Sequence, residues 1–230
     1  MPLPGDAAQD IRLSSAASFA ARAAEGRRFR QLRGRLCSAK MDRHVGWTST
    51  SQRDAMTLLE LQHNVRAYEA WPLQVEVAVD GERFAYHPSL GLRLRKGRRA
   101  VLDIVPSEDG GTPERAAFDV LLARALALSG LTLIVMGEDA VRKDSRLPNA
   151  REVMRAVGCP VDAGSEFACV RFLAGRDGPV TLGELHGIGP NGPKLRSTAC
   201  VLAMRRVVAI DLNAPSPDEC PVSLPAREAA

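Results

Sequence analysis

Asp103 is the residue whose placement asks most of this chain. It lies inside Val101-Leu102-Asp103-Ile104-Val105, an otherwise unbroken apolar run. A carboxylate buried in such a run is costly unless a cation or hydrogen-bond donors meet it. Arg53 or another arginine is the expected partner, which would make the acid half of a salt bridge. A second group with chemical character, Tyr86-His87-Pro88-Ser89, precedes that run. The remaining chemistry on offer is cationic. Arg27, Arg28, Arg30, Arg33 and Arg35 crowd the N-terminal stretch, and Lys194, Arg196, Arg205 and Arg206 lie in or beside a later helical one. Arginine's planar fork grips phosphate with two parallel hydrogen bonds. Both stretches are therefore candidate DNA-binding segments. Their alternative readings are a solvated tail for the first and a plain packing module for the second.

The balance of 31 basic against 27 acidic residues leaves a net charge of +4, a mild bias toward a polyanionic partner. Lys40, Lys96, Lys143 and Lys194 are the only lysines, and the arginine excess is also what a GC-rich coding sequence would give. The five cysteines are scattered with no Cys-x-x-Cys pair, which argues against a zinc knuckle and for reduced thiols in a cytoplasm. A hydrophobic content of 45% is ordinary for a folded chain. No apolar run approaches the roughly 20 residues a bilayer needs, and with no short apolar core behind a basic start, no secretory signal is expected. A cytoplasmic protein with no membrane partner is expected.

The elements that would hold these residues follow from periodicity. Residues 1–47 form a basic, partly flexible arm in which Ser14 to Arg35 can be helical, weakened by Gly26 and Gly34. Thr48 to Ser51 offer N-caps for a helix to about His63, with Ala55, Met56, Leu58, Leu59 and Leu61 as its buried stripe. Val65 to Pro72 reads as an extended connection. Leu73, Val75, Val77 and Val79 alternate with polar residues as a half-buried strand does, and Asp80-Gly81 turns it back into a partner strand ending near His87. Leu90 to Leu94 and Ala100 to Val105 follow as strands, the latter apolar enough to be central. Pro113 opens a helix to about Leu128, and Leu131 to Met136 is a further strand. The order predicts an α/β or α+β layered sandwich. Past Gly158, two short helices, a longer helix from Pro193 to Arg206 and a short strand fit a small helical, winged-helix-like module over 158–214. Lys194 and Arg196 sit in the first turns of its long helix, the end from which recognition helices reach DNA. Residues 215–230 read as a disordered tail.

Trp71-Pro72, the alternating run, Asp80-Gly81, Tyr86-x-Pro88, the Gly97 turn and Pro106, in this order, resemble the N-terminal domain of the TnsA-type transposon endonucleases, in the PD-(D/E)xK nuclease superfamily. The Leu59-Glu60-Leu61 stretch and Pro148-Asn149 extend the resemblance over about Thr48 to Arg155. It implies a restriction-endonuclease-like core over 48–157. It also implies a site in which carboxylates hold Mg²⁺ and a lysine orients the attacking water; metal binding acidifies that water and steadies the phosphorus. The family's helix glutamate falls on Gln52, its first metal aspartate on Ser89, its second acid on Asp103 and its lysine on Val105. Three of the four carry no suitable group. The resemblance therefore implies a catalytically inactive nuclease-like protein needing no cofactor, one that binds DNA, or a protein partner of transposase-like or regulatory kind. One alternative is an active endonuclease with relocated Mg²⁺ ligands at Asp103, His87 and Asp54. Another is a sequence-specific transcriptional regulator.

Overall fold

Alternation and turn chemistry build most of the first half of the chain. The structure is a computed structural model that describes residues 11–15, 32–79 and 82–225, with backbone alone at 11–15, 77–79 and 82–84. Two units divide the chain. One comprises Met1–Leu36, His44–Ala55 and Asn64–Val141; the other comprises Cys37–Arg43, Met56–His63 and Arg142–Ala230. Strands β2 (Gly34–Ser38) and β3 (Arg43–Trp47) pair as a hairpin and lead into helix α1 (Thr50–Leu61).

In the first unit, β4 (Val65–Ala70), β7 (Leu90–Leu94), β8 (Arg99–Val105) and β9 (Thr132–Gly137) form one sheet in the order β4-β7-β8-β9. The first two pairings are antiparallel and β8 runs parallel to β9. A parallel neighbour needs a crossover, and helix α2 (Pro113–Leu128) supplies it. A second sheet orders β1 (Ile11–Ser15), β5 (Leu73–Val79) and β6 (Glu82–Tyr86) as β1-β5-β6, all antiparallel. Val75 of β5, Val101 of β8 and Leu122 and Leu126 of α2 meet in one buried cluster, with Tyr86 and Phe118 packed against it. The mixed α/β architecture expected from the pattern is present, and β8 is an inner strand as its apolar run required.

Two expectations for this region fail. Val65–Ala70 is a strand rather than a loose connection, because Val65 and Tyr68 are buried while Arg66 and Glu69 face out. The helix expected over Ser14 to Arg35 is excluded at both ends, where Ser14 and Ser15 belong to β1 and Gly34 and Arg35 to β2. Residues 16–31 of that stretch lie outside the described residues.

Helix α3 (Glu138–Arg142) ends where the first unit does, and the second unit continues with α4 (Arg146–Met154), α5 (Ala163–Ala174), β10 (Val180–Thr181), α6 (Leu182–His186), α7 (Gly192–Met204), β11 (Ala209–Ile210) and β12 (Pro221–Ser223). Asp162 caps α5, and Thr181 with Glu184 forms a capping box on α6. A Cβ at residue 192 would meet the His186 carbonyl oxygen at 1.9 Å, so glycine is required where α7 turns off α6. α7 is the centre of this unit, buried continuously from Thr198 to Met204. The sheet orders β10-β12-β11, both pairings antiparallel. Residues 217–223, expected within a disordered tail, form a 3₁₀ turn and β12, with Cys220 and Val222 fully buried. Asn149 of α4 fastens the chain just before them, donating through Nδ2 to the Leu212 and Ala214 carbonyls at 2.9 and 2.8 Å.

The tip of the β2–β3 hairpin makes a buried ionic knot on the end of α1. Ser38 Oγ and the Lys40 backbone N–H both donate to Glu60, while Lys40 Nζ donates to the Leu59 and Gln62 carbonyls at 2.7 Å each. The ammonium satisfies carbonyls that a helix end leaves open. Burial is the main cause that pulls Lys40 down to about 8; Glu60 raises it and Arg206 lowers it further. Below about 8 both folded and unfolded chains hold this proton, and the burial cost is fully present. Above it the folded chain releases the proton while the unfolded chain keeps it to about 10.4. Stability should therefore rise by about 2 kcal/mol between pH 8 and 9.5. Urea midpoints of wild type and Lys40→Met across that range test this; parallel profiles for the two proteins would refute it.

Candidate functional site

Asp103 sits on β8 with Val101 and Val105 on the same face, the one that α2 covers, since Val101 packs on Leu122 and Leu126. Thr112 caps α2, its side chain accepting from the Arg115 backbone N–H at 3.2 Å, and Pro113 opens the first turn. That cap fixes Arg115 in the first turn of α2, and from there Arg115 Nη2 reaches Asp103 Oδ2. The Tyr86 hydroxyl donates to the same oxygen. Arg115 Nη1 in turn donates to the Tyr86 hydroxyl at 3.2 Å, and Nε donates to Asp119 at 2.8 Å. The guanidinium also lies 5.3 Å from the Phe118 ring centroid and 5.6 Å from that of Tyr86. Asp103 is 1% exposed, so this is a buried carboxylate with its counter-charge built in.

Ser89 closes the other side. It stands one residue before β7, beside the Leu90–Leu102 pairing. Its hydroxyl accepts from the Ile104 backbone N–H at 3.0 Å and makes a long 3.4 Å donation to Asp103 Oδ1. Its carbonyl accepts from Gln52 Nε2 at 2.8 Å and from the Trp71 N–H at 3.3 Å. Gln52, on α1, accepts from the Thr48 N–H through Oε1 at 2.9 Å. Trp71 holds a positive φ of 46°, and Pro72 beside it approaches β7 so closely that a Cβ at Gly91 would meet it at 2.6 Å. Gln52, Ser89 and Asp103 are thus joined in one hydrogen-bonded chain, with Val105 buried two residues beyond.

The electrostatics favour a settled network over a reactive one. Burial, followed by the neighbouring Asp103 charge, pushes the Tyr86 hydroxyl well above its ordinary range, so it stays a donor. Burial opposes the charge on Arg115, but hydrogen bonds to Asp119, Asp103 and Tyr86 outweigh it and hold the guanidinium charged. Both Asp103 oxygens are committed. Val105 offers no proton and no donor. The arrangement binds charge against charge within the protein.

Arg53 does not take the part expected of it. It reaches Asp54 through Nε at 3.1 Å and Nη2 at 2.9 Å, and lies over the Trp47 ring at 5.6 Å. Asp54 is 1% exposed, while His87 is half-buried. Among the described residues no three His, Cys, Asp or Glu side chains gather where they could hold a metal ion, so Asp103, His87 and Asp54 do not form such a set. Arg115 carried no motif; its signal was its place as an early cation in the helix after the strand that buries an acid.

The cationic candidates in the second unit have acidic neighbours. Lys194 Nζ is 3.1 Å from Asp162, Arg196 Nη1 bonds Asp218 and its Nη2 lies 3.9 Å from Glu152, and Arg205 lies 3.8 Å from Glu166. Arg206 is exposed and holds a positive φ of 65° after the end of α7. A pocket of about 530 Å³ opens between the first turn of α7 and the 217–219 turn, lined by Glu152, His186, Pro193, Arg196, Ser197, Pro217 and Asp218. Arg33 and Arg35 are exposed, Arg35 on β2, and Arg27, Arg28 and Arg30 lie outside the described residues. Among the described residues no helix is long and apolar enough to cross a membrane. No family model matches this chain, and no curated protein does.

Proposed function

We propose that this chain is a TnsA-like protein with a restriction-endonuclease-like core that is catalytically silent. In this reading it is a DNA-binding and protein-interaction component of a mobile-element or regulatory system. The observation that carries the reading is the Arg115 guanidinium seated on Asp103. The family's acid is retained, and a fixed protein cation lies against it. The convergence of Gln52, Ser89 and Asp103 in one hydrogen-bonded chain supports the correspondence with the family's site. In the second unit, the order α5-β10-α6-α7-β11-β12 with the sheet β10-β12-β11 supports a winged-helix reading, the 211–220 connection serving as the wing. DNA contact through such a module would use the start of α7 and that connection.

Labelled duplex DNA titrated at two salt concentrations, with and without Mg²⁺ and Mn²⁺, reads binding and cleavage together. Salt-sensitive binding without cleavage is expected. Metal-dependent cleavage lost in Asp103→Ala would overturn the reading in favour of an active endonuclease, and tight binding to one defined sequence would favour a regulator.

A further inference from the structure

The pocket beside α7 contains an ion pair between Arg196 and Asp218. Arg196, its side chain 19% exposed, and Asp218 of the 217–219 turn, its side chain 69% exposed, both line the pocket and are paired to each other. Glu152 also lines the pocket, but its carboxylate is engaged more closely by Arg155, at 2.8 Å, than by Arg196. Asp162 is matched by Lys194. Asp218 is therefore the carboxylate that holds Arg196 most closely, with Glu152 a second and more distant one. With Asp218 in place the Arg196 guanidinium is occupied; with it swung away, Arg196, His186 and Ser197 face a space large enough for a phosphate group. Asp218 is the exposed partner of the pair and is screened by solvent on its own side, so another anion can exchange for it on Arg196.

We propose that Asp218 is a latch on a phosphodiester-binding pocket, occupying Arg196 until a backbone phosphate of duplex DNA displaces it. The inference rests on the DNA-binding reading above and adds to it an acid that sets affinity. No bond is made or broken; a carboxylate and a phosphate exchange on one guanidinium.

Fluorescence anisotropy with labelled duplex DNA tests this, comparing wild type with Asp218→Asn, with Asp177→Asn, and with Asp218→Asn combined with Arg196→Gln. Asp177 is exposed and does not line the pocket, so its variant makes the same charge change elsewhere. Asp218→Asn should bind about fivefold more tightly at low salt, the size of an exposed ion pair. Its salt dependence should steepen by about 0.9, as for one added phosphate contact. Asp177→Asn should gain clearly less, and the Arg196→Gln combination should abolish the gain. Equal gains in the two asparagine variants, or a gain that survives loss of Arg196, would overturn the latch while leaving DNA binding intact. Reversal of the gain by equimolar inorganic phosphate would assign the pocket to the free ion and overturn the duplex as its occupant. If no form of the protein binds duplex DNA, the DNA-binding reading itself falls and the latch with it.

Discussion

Arg115→Leu is expected to destabilise the first unit by about 3–5 kcal/mol, the cost of leaving one member of a buried ion pair without the other. Asp103 is 1% exposed and receives its charge compensation from this one guanidinium, with Tyr86 and Ser89 adding dipoles. Leucine would fill space beside Phe118 but would leave the carboxylate facing hydrocarbon. Asp103→Asn in the same chain should recover most of the loss, because an amide needs no counter-charge. Arg115→Lys should fall between, since a single ammonium cannot reach Asp103, Asp119 and Tyr86 as the planar fork does. Urea unfolding of the three variants measures this. A loss below about 1 kcal/mol for Arg115→Leu would place it in the range of a surface pair and remove the reason for regarding Arg115 as the partner that the buried acid requires.

Gln52→Glu, which restores the residue type that the family resemblance puts at this position, should also be strongly unfavourable. Gln52 is 3% exposed and uses both ends of its amide, donating to the Ser89 carbonyl and accepting from the Thr48 N–H. An ionised glutamate keeps the second bond but sets an oxygen against the Ser89 carbonyl. The expected cost at pH 7 is about 3 kcal/mol, a lost donor plus a buried charge. A protonated glutamate can donate where the amide did, so the folded state should raise the carboxyl above its unfolded value of about 4.3. The variant's stability is then fully present below about pH 4.3 and lost as the pH rises through the higher folded value. Stability of the two proteins compared at pH 4 and pH 7 measures this. A deficit of equal size at both would show that shape, not charge, rejects glutamate.

The two substitutions explain which parts of the molecule were legible in advance. The strands β5, β7 and β8 and the helix α2 were readable because apolar positions in their patterns are buried: Val75, Leu90, Leu92, Val101, Leu122 and Leu126 are all inside. β4 was not, since Arg66, Ala67, Glu69 and Ala70 dilute its two buried residues, and its strand character comes from pairing with β7. β12 was missed for a similar reason. Three residues, the first of them a proline, have no period of their own, and only the β10 and β11 partners make them a strand. At the site, the need of Asp103 for a cation was plain from its apolar neighbours, but which arginine would supply it was not. It depends on the three-dimensional fact that the first turn of α2 overlies β8, whereas Arg53 finds Asp54 next to it on its own helix.

The position of β12 also has a consequence for how the second unit comes into being. β10 and β11 have no pairing with each other; each is hydrogen-bonded to β12, the last of the three in the chain. While the polypeptide is being made, α5, α6 and α7 can collapse on one another well before any ladder exists to seal their flank. The three-stranded sheet therefore cannot be completed without the segment around Val222, which pairs with both other strands. Until that pairing, the places that Cys220 and Val222 fill remain open to water. A single protease cut in the 211–220 connection should release the sheet's middle strand while sparing the helices, so nicked protein should keep its helical signal yet expose apolar surface to a dye.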